Sequence, residues 1–208
     1  MTSTDTEACG RSDTARSVVI LVAALNLAYF GVEFAVALAI GSVSLYADSV
    51  DFLEDASVNF LIAVALGWRA TWRARVGMIL AGVLLVPALA ALWAAWTKLV
   101  TGVAPAPVPL TVTGAGALVI NFWCAVMLAR VRAHSGSLTR AAFLSARNDV
   151  AANLAIIVAG LVTAATRSVW PDLAVGLGII AMNAGAAREV WLAAREEHRA
   201  AVSDRAQS

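Results

Sequence analysis

Apolar residues fall along this chain in six long blocks, broken at short polar or Gly/Pro-rich joints. A helix that crosses a bilayer needs about 20 mostly apolar residues. The blocks predict such helices at 17–40, 44–66, 76–97, 109–129, 139–166 and 171–194. The third and fourth contain no charged residue, and their joint from Thr101 to Pro109 carries Pro105, Pro107 and Pro109, an alternation that predicts an extended linker. The sixth is interrupted by Arg188 and Glu189 and turns amphipathic from Trp191 to Arg199, where it is expected to emerge into water. Residues 1–16 hold Asp5, Glu7 and Asp13 without an apolar run, so they read as a disordered tail rather than a signal peptide. The expected organisation is all-α, an integral membrane protein with six transmembrane helices over 17–194 and a short tail at 195–208.

Composition sharpens this picture. With 61% of its 208 residues apolar and 14% charged, the chain lies outside the range of soluble enzymes. A net charge of +1 gives no global field for nucleic acid, so any function must be local. Cys9 and Cys124 alone make neither a disulfide framework nor a thiolate cage.

The placement of the cations is more informative than their number. Arg11, Arg16, Arg69, Arg73, Arg75, Arg130, Arg132, Arg140, Arg188, Arg195, Arg199 and Arg205 fall on one side of the predicted spans, against Lys98 and Arg167 on the other. By the positive-inside rule both termini are cytoplasmic, as expected of a multi-pass protein of the cell membrane. Trp68, Trp72, Trp96 and Trp170 lie near predicted helix ends, where an amphipathic ring suits the headgroup region.

Glu33, Asp48, Asp51, Glu54, Asp55, Arg147 and Asp149 fall inside the spans, where each ionised group costs about 2.5–3.5 kcal/mol at mid-bilayer. Six acids against one base leave an excess of five negative charges, which calls for bound cations, bound protons or a water-filled cavity. A cation pathway is the class that follows.

Helical geometry groups these residues. At 100° per residue, Asp48, Asp55 and Asn59 lie within about 40° of one another on the second helix, with Asp51 about 40° beyond Asp55 and Glu54 a further 60° or so round. Ser145, Asp149 and Asn153 form a stripe on the fifth helix, and Arg147 points nearly the opposite way. Counted at 1.5 Å per residue, Asp51–Asp55 begin roughly 12 Å from the outer end of one helix and Ser145–Asp149 roughly 10 Å from the inner end of the other, so both reach the midplane. Asp51-x3-Asp55-x3-Asn59 and Ser145-x3-Asp149-x3-Asn153 share their spacing on the middle helix of each three-helix half, as inverted repeats would.

Each of these residues also has a plainer reading. Asn26, Asn59, Asn121, Asn153 and Asn183 suit hydrogen bonding between helices. Glu33 and Arg147 suit neutralising each other or other buried charges as well as transport. His134 reads as a loop residue and His198 as a tail residue. One arginine cannot neutralise three carboxylates, which leaves Asp51, Asp55 and Asp149 for function.

The run from Asn26 through Glu33 and Gly41 to Ser42-Val43-Ser44-Leu45-Tyr46-Ala47-Asp48 and Asp51-x3-Asp55 resembles the first two helices of the cation diffusion facilitator transporters. Ala142-Phe143-Leu144-Ser145-x3-Asp149 with Ile156 to Leu161 resembles the fifth helix of that family, and Trp170-Pro171-Asp172-Leu173 the start of the sixth. The resemblance implies a divalent metal, commonly zinc, bound between helices 2 and 5 and exported against protons. By position the metal ligands would be Asp51, Asp55, Ser145 and Asp149, with Asp48, Glu54 and Glu33 along a proton or ion pathway. Ser145 stands where the family usually has His or Asp, and three carboxylates without imidazole make a harder site that favours Mn²⁺, Fe²⁺ or Co²⁺ beside Zn²⁺. The family's cytoplasmic metal-binding domain has no counterpart in the short segment after helix 6, which leaves any homodimer to the membrane helices.

Two other classes compete with a transporter: a non-transporting membrane metal sensor or scaffold, and an intramembrane metal-dependent enzyme. Against the enzyme, Asp149 follows Ala146-Arg147-Asn148 and not the Gly-x-Gly of intramembrane aspartyl proteases, and the Asp-Gly opening of phosphoalcohol transferases is missing around Asp48-Ser49-Val50-Asp51. The expectation is a non-enzymatic exporter with no resident cofactor, its partners being a divalent metal, protons and the lipid bilayer.

Overall fold

A computed structural model describes residues 3–64, 88–131 and 137–183, and these are helical apart from short connections. The helices are α1 (Ser3–Ile40), α2 (Val43–Val64), α3 (Ala88–Thr101), α4 (Pro107–Val131), α5 (Ser137–Thr166) and α6 (170–183). Among the described residues there is no strand. Most of the predicted third helix, the second half of the sixth and the tail from 195 lie outside the described residues.

Two boundaries differ from expectation. α1 begins at Ser3, so the helix runs back through the stretch expected to be a disordered tail. No proline interrupts it, and extending a formed helix requires fixing only one residue per added hydrogen bond. α4 begins at Pro107, inside the expected linker, which contracts to residues 102–106. Pro107 and Pro109 occupy the first turn of α4, where a missing N–H leaves no internal bond unmade.

The packing is inside-out relative to a soluble bundle. Asn26, Glu33, Asp48, Asn59, Asn121, Asn153 and Asp172 are buried, while Trp93, Trp96, Val108, Phe122, Trp123 and Val158 are more than half exposed. A bilayer provides the partner such a surface requires, and the segments Arg16–Ile40, Pro107–Arg130 and Arg147–Thr166 are long and apolar enough to cross one. α2, 22 residues and so ~33 Å long, has the length as well, but Asp48, Asp51, Glu54 and Asp55 interrupt its apolarity. The chain is an all-α membrane protein.

α1 packs on α2 and α4 on α5, and the two pairs join through α1–α4 and α2–α5, which makes a four-helix ring. Its interior is layered. One apolar cluster gathers Ala37, Val43, Leu45, Leu110 and Ile156 with Ala91 of α3 and Leu173 of α6. A second gathers Val19, Val22, Ala63, Cys124 and Leu128. Along α1, α2 and α4 the buried polar residues other than Ser44 fall between the two clusters, so the carboxylates of α1 and α2 sit in the middle layer. Small residues allow α4 and α5 to approach closely: a side chain at Gly160 would meet the Thr111 backbone and one at Gly114 would meet Ile156.

Candidate functional site

The register of α2 is set at its first turn. Gly41 takes φ +62 just past the end of α1, and Ser42 N–H returns to Ala37 O at 3.2 Å, a Schellman cap that reverses the chain. Ser42 then caps α2, its Oγ accepting from Leu45 N–H at 3.2 Å. The two N–H groups this leaves, Val43 and Ser44, donate to Asp172 of α6 at 2.9 and 3.2 Å. The same carboxylate accepts from the Ser42 and Ser44 hydroxyls, each at 2.6 Å, and from Lys98 Nζ of α3 at 3.0 Å. Lys98 also donates to Gly41 O. A Cβ on Gly176 would meet Ser44 N at 2.7 Å, so α6 lies directly against this turn. The start of α2 is thereby fixed to α3 and α6, and its acids follow at a set depth.

Eight residues on, Asp51, Glu54 and Asp55 of α2 line a pocket of about 150 Å³ with Asn148, Asp149 and Ala152 of α5 and Ile179, Met182 and Asn183 of α6. Asp55 is buried and Asp51 and Asp149 half-buried, while Glu54 and Asn148 are exposed, so the pocket runs inward from the surface. Asp149 is within hydrogen-bonding reach of Asp55, and Asn183 Nδ2 donates to Asp51 Oδ1. Among the described residues, no three His, Cys, Asp or Glu side chains converge closely enough to hold an ion between them. The arrangement is an acidic vestibule lined by oxygen donors of α2, α5 and α6.

The other residues expected of the site are placed differently. Glu33 and Asp48, both fully buried, adjoin one another across α1 and α2, and among the described residues neither carboxyl meets a donor from any other side chain. They lie outside the pocket lining. Ser145 is on α5, but its side chain is outside the described ones. Arg147 is exposed and makes no ion pair with Glu33; two residues from Asp149, it is turned about 200° away. Mutual neutralisation of Glu33 and Arg147 is therefore not how the bundle accommodates either.

Two of the asparagines do something more local than bridging helices. Asn59 Nδ2 donates to Asp55 O at 2.8 Å and Asn153 Nδ2 to Asp149 O at 2.6 Å, each bonding back one turn to the carbonyl of a pocket aspartate. The matched spacing on α2 and α5 thus repeats in hydrogen bonding as well as in sequence. Asn26 meets Cys124 across α1 and α4, with Sγ to Oδ1 at 3.7 Å.

Three residues escaped the sequence reading. Asp172 and Lys98 stand at helix ends, where charge is ordinary, and nothing local links positions 74 apart. Asn183 does bond between helices, as expected, and what escaped was that its partner is Asp51 and its place the pocket wall. A lone lysine closing an otherwise chargeless helix was the available signal for the first pair.

The family model described as the cation efflux transmembrane domain matches residues 19–195, which takes in every pocket residue. A search of curated proteins finds no match. The profile match, the inside-out helical bundle and the acids in its middle layer agree: the chain belongs to the cation efflux, or cation diffusion facilitator, family of membrane transporters, which carry metal cations across membranes.

Proposed function

We propose that this protein exports a divalent transition-metal cation from the cytoplasm in exchange for protons, working as a multi-pass protein of the cell membrane with both termini cytoplasmic. The observation that carries this reading is the pocket in which Asp51, Glu54 and Asp55 of α2 face Asp149 of α5. Asp51, Asp55 and Asp149 serve as ligands of an arriving ion, and Ser145, one turn before Asp149, contributes through water. All-oxygen donors favour Mn²⁺, Fe²⁺ or Co²⁺ beside Zn²⁺. Three carboxylates around one divalent ion leave one negative charge over in a poorly hydrated site, so protons compete with the metal for the cluster. Alternating exposure of the site to the two sides then exchanges one for the other.

The test is metal flux into inverted vesicles, with a panel of divalent ions and an imposed pH gradient. Metal entry is expected to release protons from the lumen, and Asp51→Ala, Asp55→Ala and Asp149→Ala are each expected to abolish flux in protein that still inserts. Parental flux in all three variants would remove the pocket from the mechanism. Flux at full rate with no proton movement would leave a uniporter.

A further inference from the structure

The pocket has three walls, and the third is α6. From it, Asn183 Nδ2 donates to Asp51 Oδ1. Asp51 is half-buried and lies in the pocket with Glu54, Asp55 and Asp149, with no cation among the pocket-lining residues. Within that lining the Asn183 amide is the donor that fixes Asp51. A carboxylate has two oxygens; a donor on Oδ1 holds the group in one rotamer and leaves Oδ2 free. Metal-binding carboxylates depend on such outer partners, which set their orientation and basicity.

We propose that Asn183 is a positioning residue of the cation site, which holds Asp51 through its amide N–H and so makes α6 a working part of that site. This rests on the assignment of Asp51 as a ligand under Proposed function. It adds a dependence on α6 that ligands drawn from α2 and α5 alone do not have. Asn183 acts through Asp51 and does not touch the ion, so its loss weakens every divalent cation alike. Its neighbour Met182, also in the lining, brings a thioether and no N–H, so it cannot substitute for the amide.

The experiment is equilibrium binding of Mn²⁺ and Zn²⁺ to the full-length protein in detergent, for the parent, Asn183→Leu, Asn183→Gln and Asp51→Ala, with thermal unfolding recorded for each. Asn183→Leu keeps the size and removes the donor; it is expected to lose about 10- to 100-fold in affinity for both ions with their ratio unchanged. Asn183→Gln keeps the amide N–H and is expected to recover part of that loss. Asn183→Ala, which also lacks the donor, replaces the Leu variant should the latter fail to fold. Parental affinity in Asn183→Leu with lowered thermal stability would mean a purely structural asparagine and overturn the proposal. A changed Mn²⁺ to Zn²⁺ ratio would mean a direct ligand and overturn it too. Asp51→Ala that binds as the parent does would sink the ligand assignment itself, whereas an indifferent Asn183→Leu beside a defective Asp51→Ala sinks the positioning role alone.

Discussion

Replacing Asp172 with alanine tests whether the polar cluster at the start of α2 holds the bundle together. The carboxylate accepts from Val43 N–H, Ser44 N–H, two serine hydroxyls and Lys98, and it is wholly buried. Asp172→Ala strands Lys98, 5% exposed, with the Gly41 carbonyl as its one remaining partner among the described residues. Removing one member of a buried ion pair costs about 3–5 kcal/mol, because the remaining charge has lost both water and its counter-charge. Two helix N–H groups lose their cap in the same step, at ~1 kcal/mol each. These costs overlap, so the expected destabilisation is about 4 kcal/mol or more. Lys98→Met in the same chain removes the stranded charge and is expected to restore about 1–3 kcal/mol, leaving the uncapped helix as the residue of the damage. The assay is denaturant titration in mixed micelles, reading loss of helix for the parent, both single variants and the double variant. A cost for Asp172→Ala within the ±0.5 kcal/mol or so of an ordinary surface change would refute the reasoning.

Three further outcomes can be checked. Ser145→His adds an imidazole on the Asp149 face of α5, and zinc uptake is expected to rise relative to manganese in a mixed-metal flux assay, with an unchanged rank order placing position 145 beyond reach of the ion. Asp48→Asn and Glu54→Gln are expected to lower the number of protons moved per metal while metal affinity holds; equal loss of both would make them ligands. Gly160→Leu drives a side chain into the Thr111 backbone of α4, whose Cα stands 3.2 Å from an added Cβ, and is expected to cost about 1–3 kcal/mol in the same micelle titration.

Much of this architecture is legible from apolar run length alone, since membrane helices must satisfy their own backbones within one segment. The pocket acids were equally legible, because a carboxylate in an apolar run needs a reason to be there. What escaped was whatever depends on a second element. The role of Asp172 requires knowing that the first turn of α2 lies beside the first turn of α6. Asn59 and Asn153 were read as reaching across helices when their shortest route is back along their own. The prolines misled in a simpler way: Pro107 and Pro109 suit an extended linker and the first turn of a helix equally well, and the apolar residues that follow decide between them.

The contact between Asp172 and α2 also dictates a sequence of events during synthesis. Val43 and Ser44 leave the ribosome well before Asp172, which follows Val43 by 129 positions, and for that interval the opening turn of α2 has two amides without an acceptor. Lys98 emerges midway and likewise waits for its counter-charge. The first hairpin can therefore enter the bilayer early but cannot reach its final form until α6 arrives beside it. A ribosome that stalls or a message that ends before codon 172 yields a chain whose earliest-made part carries the defect. Its ammonium and its helix end then stand without their counterpart, so an event at position 172 is felt near positions 43 and 98.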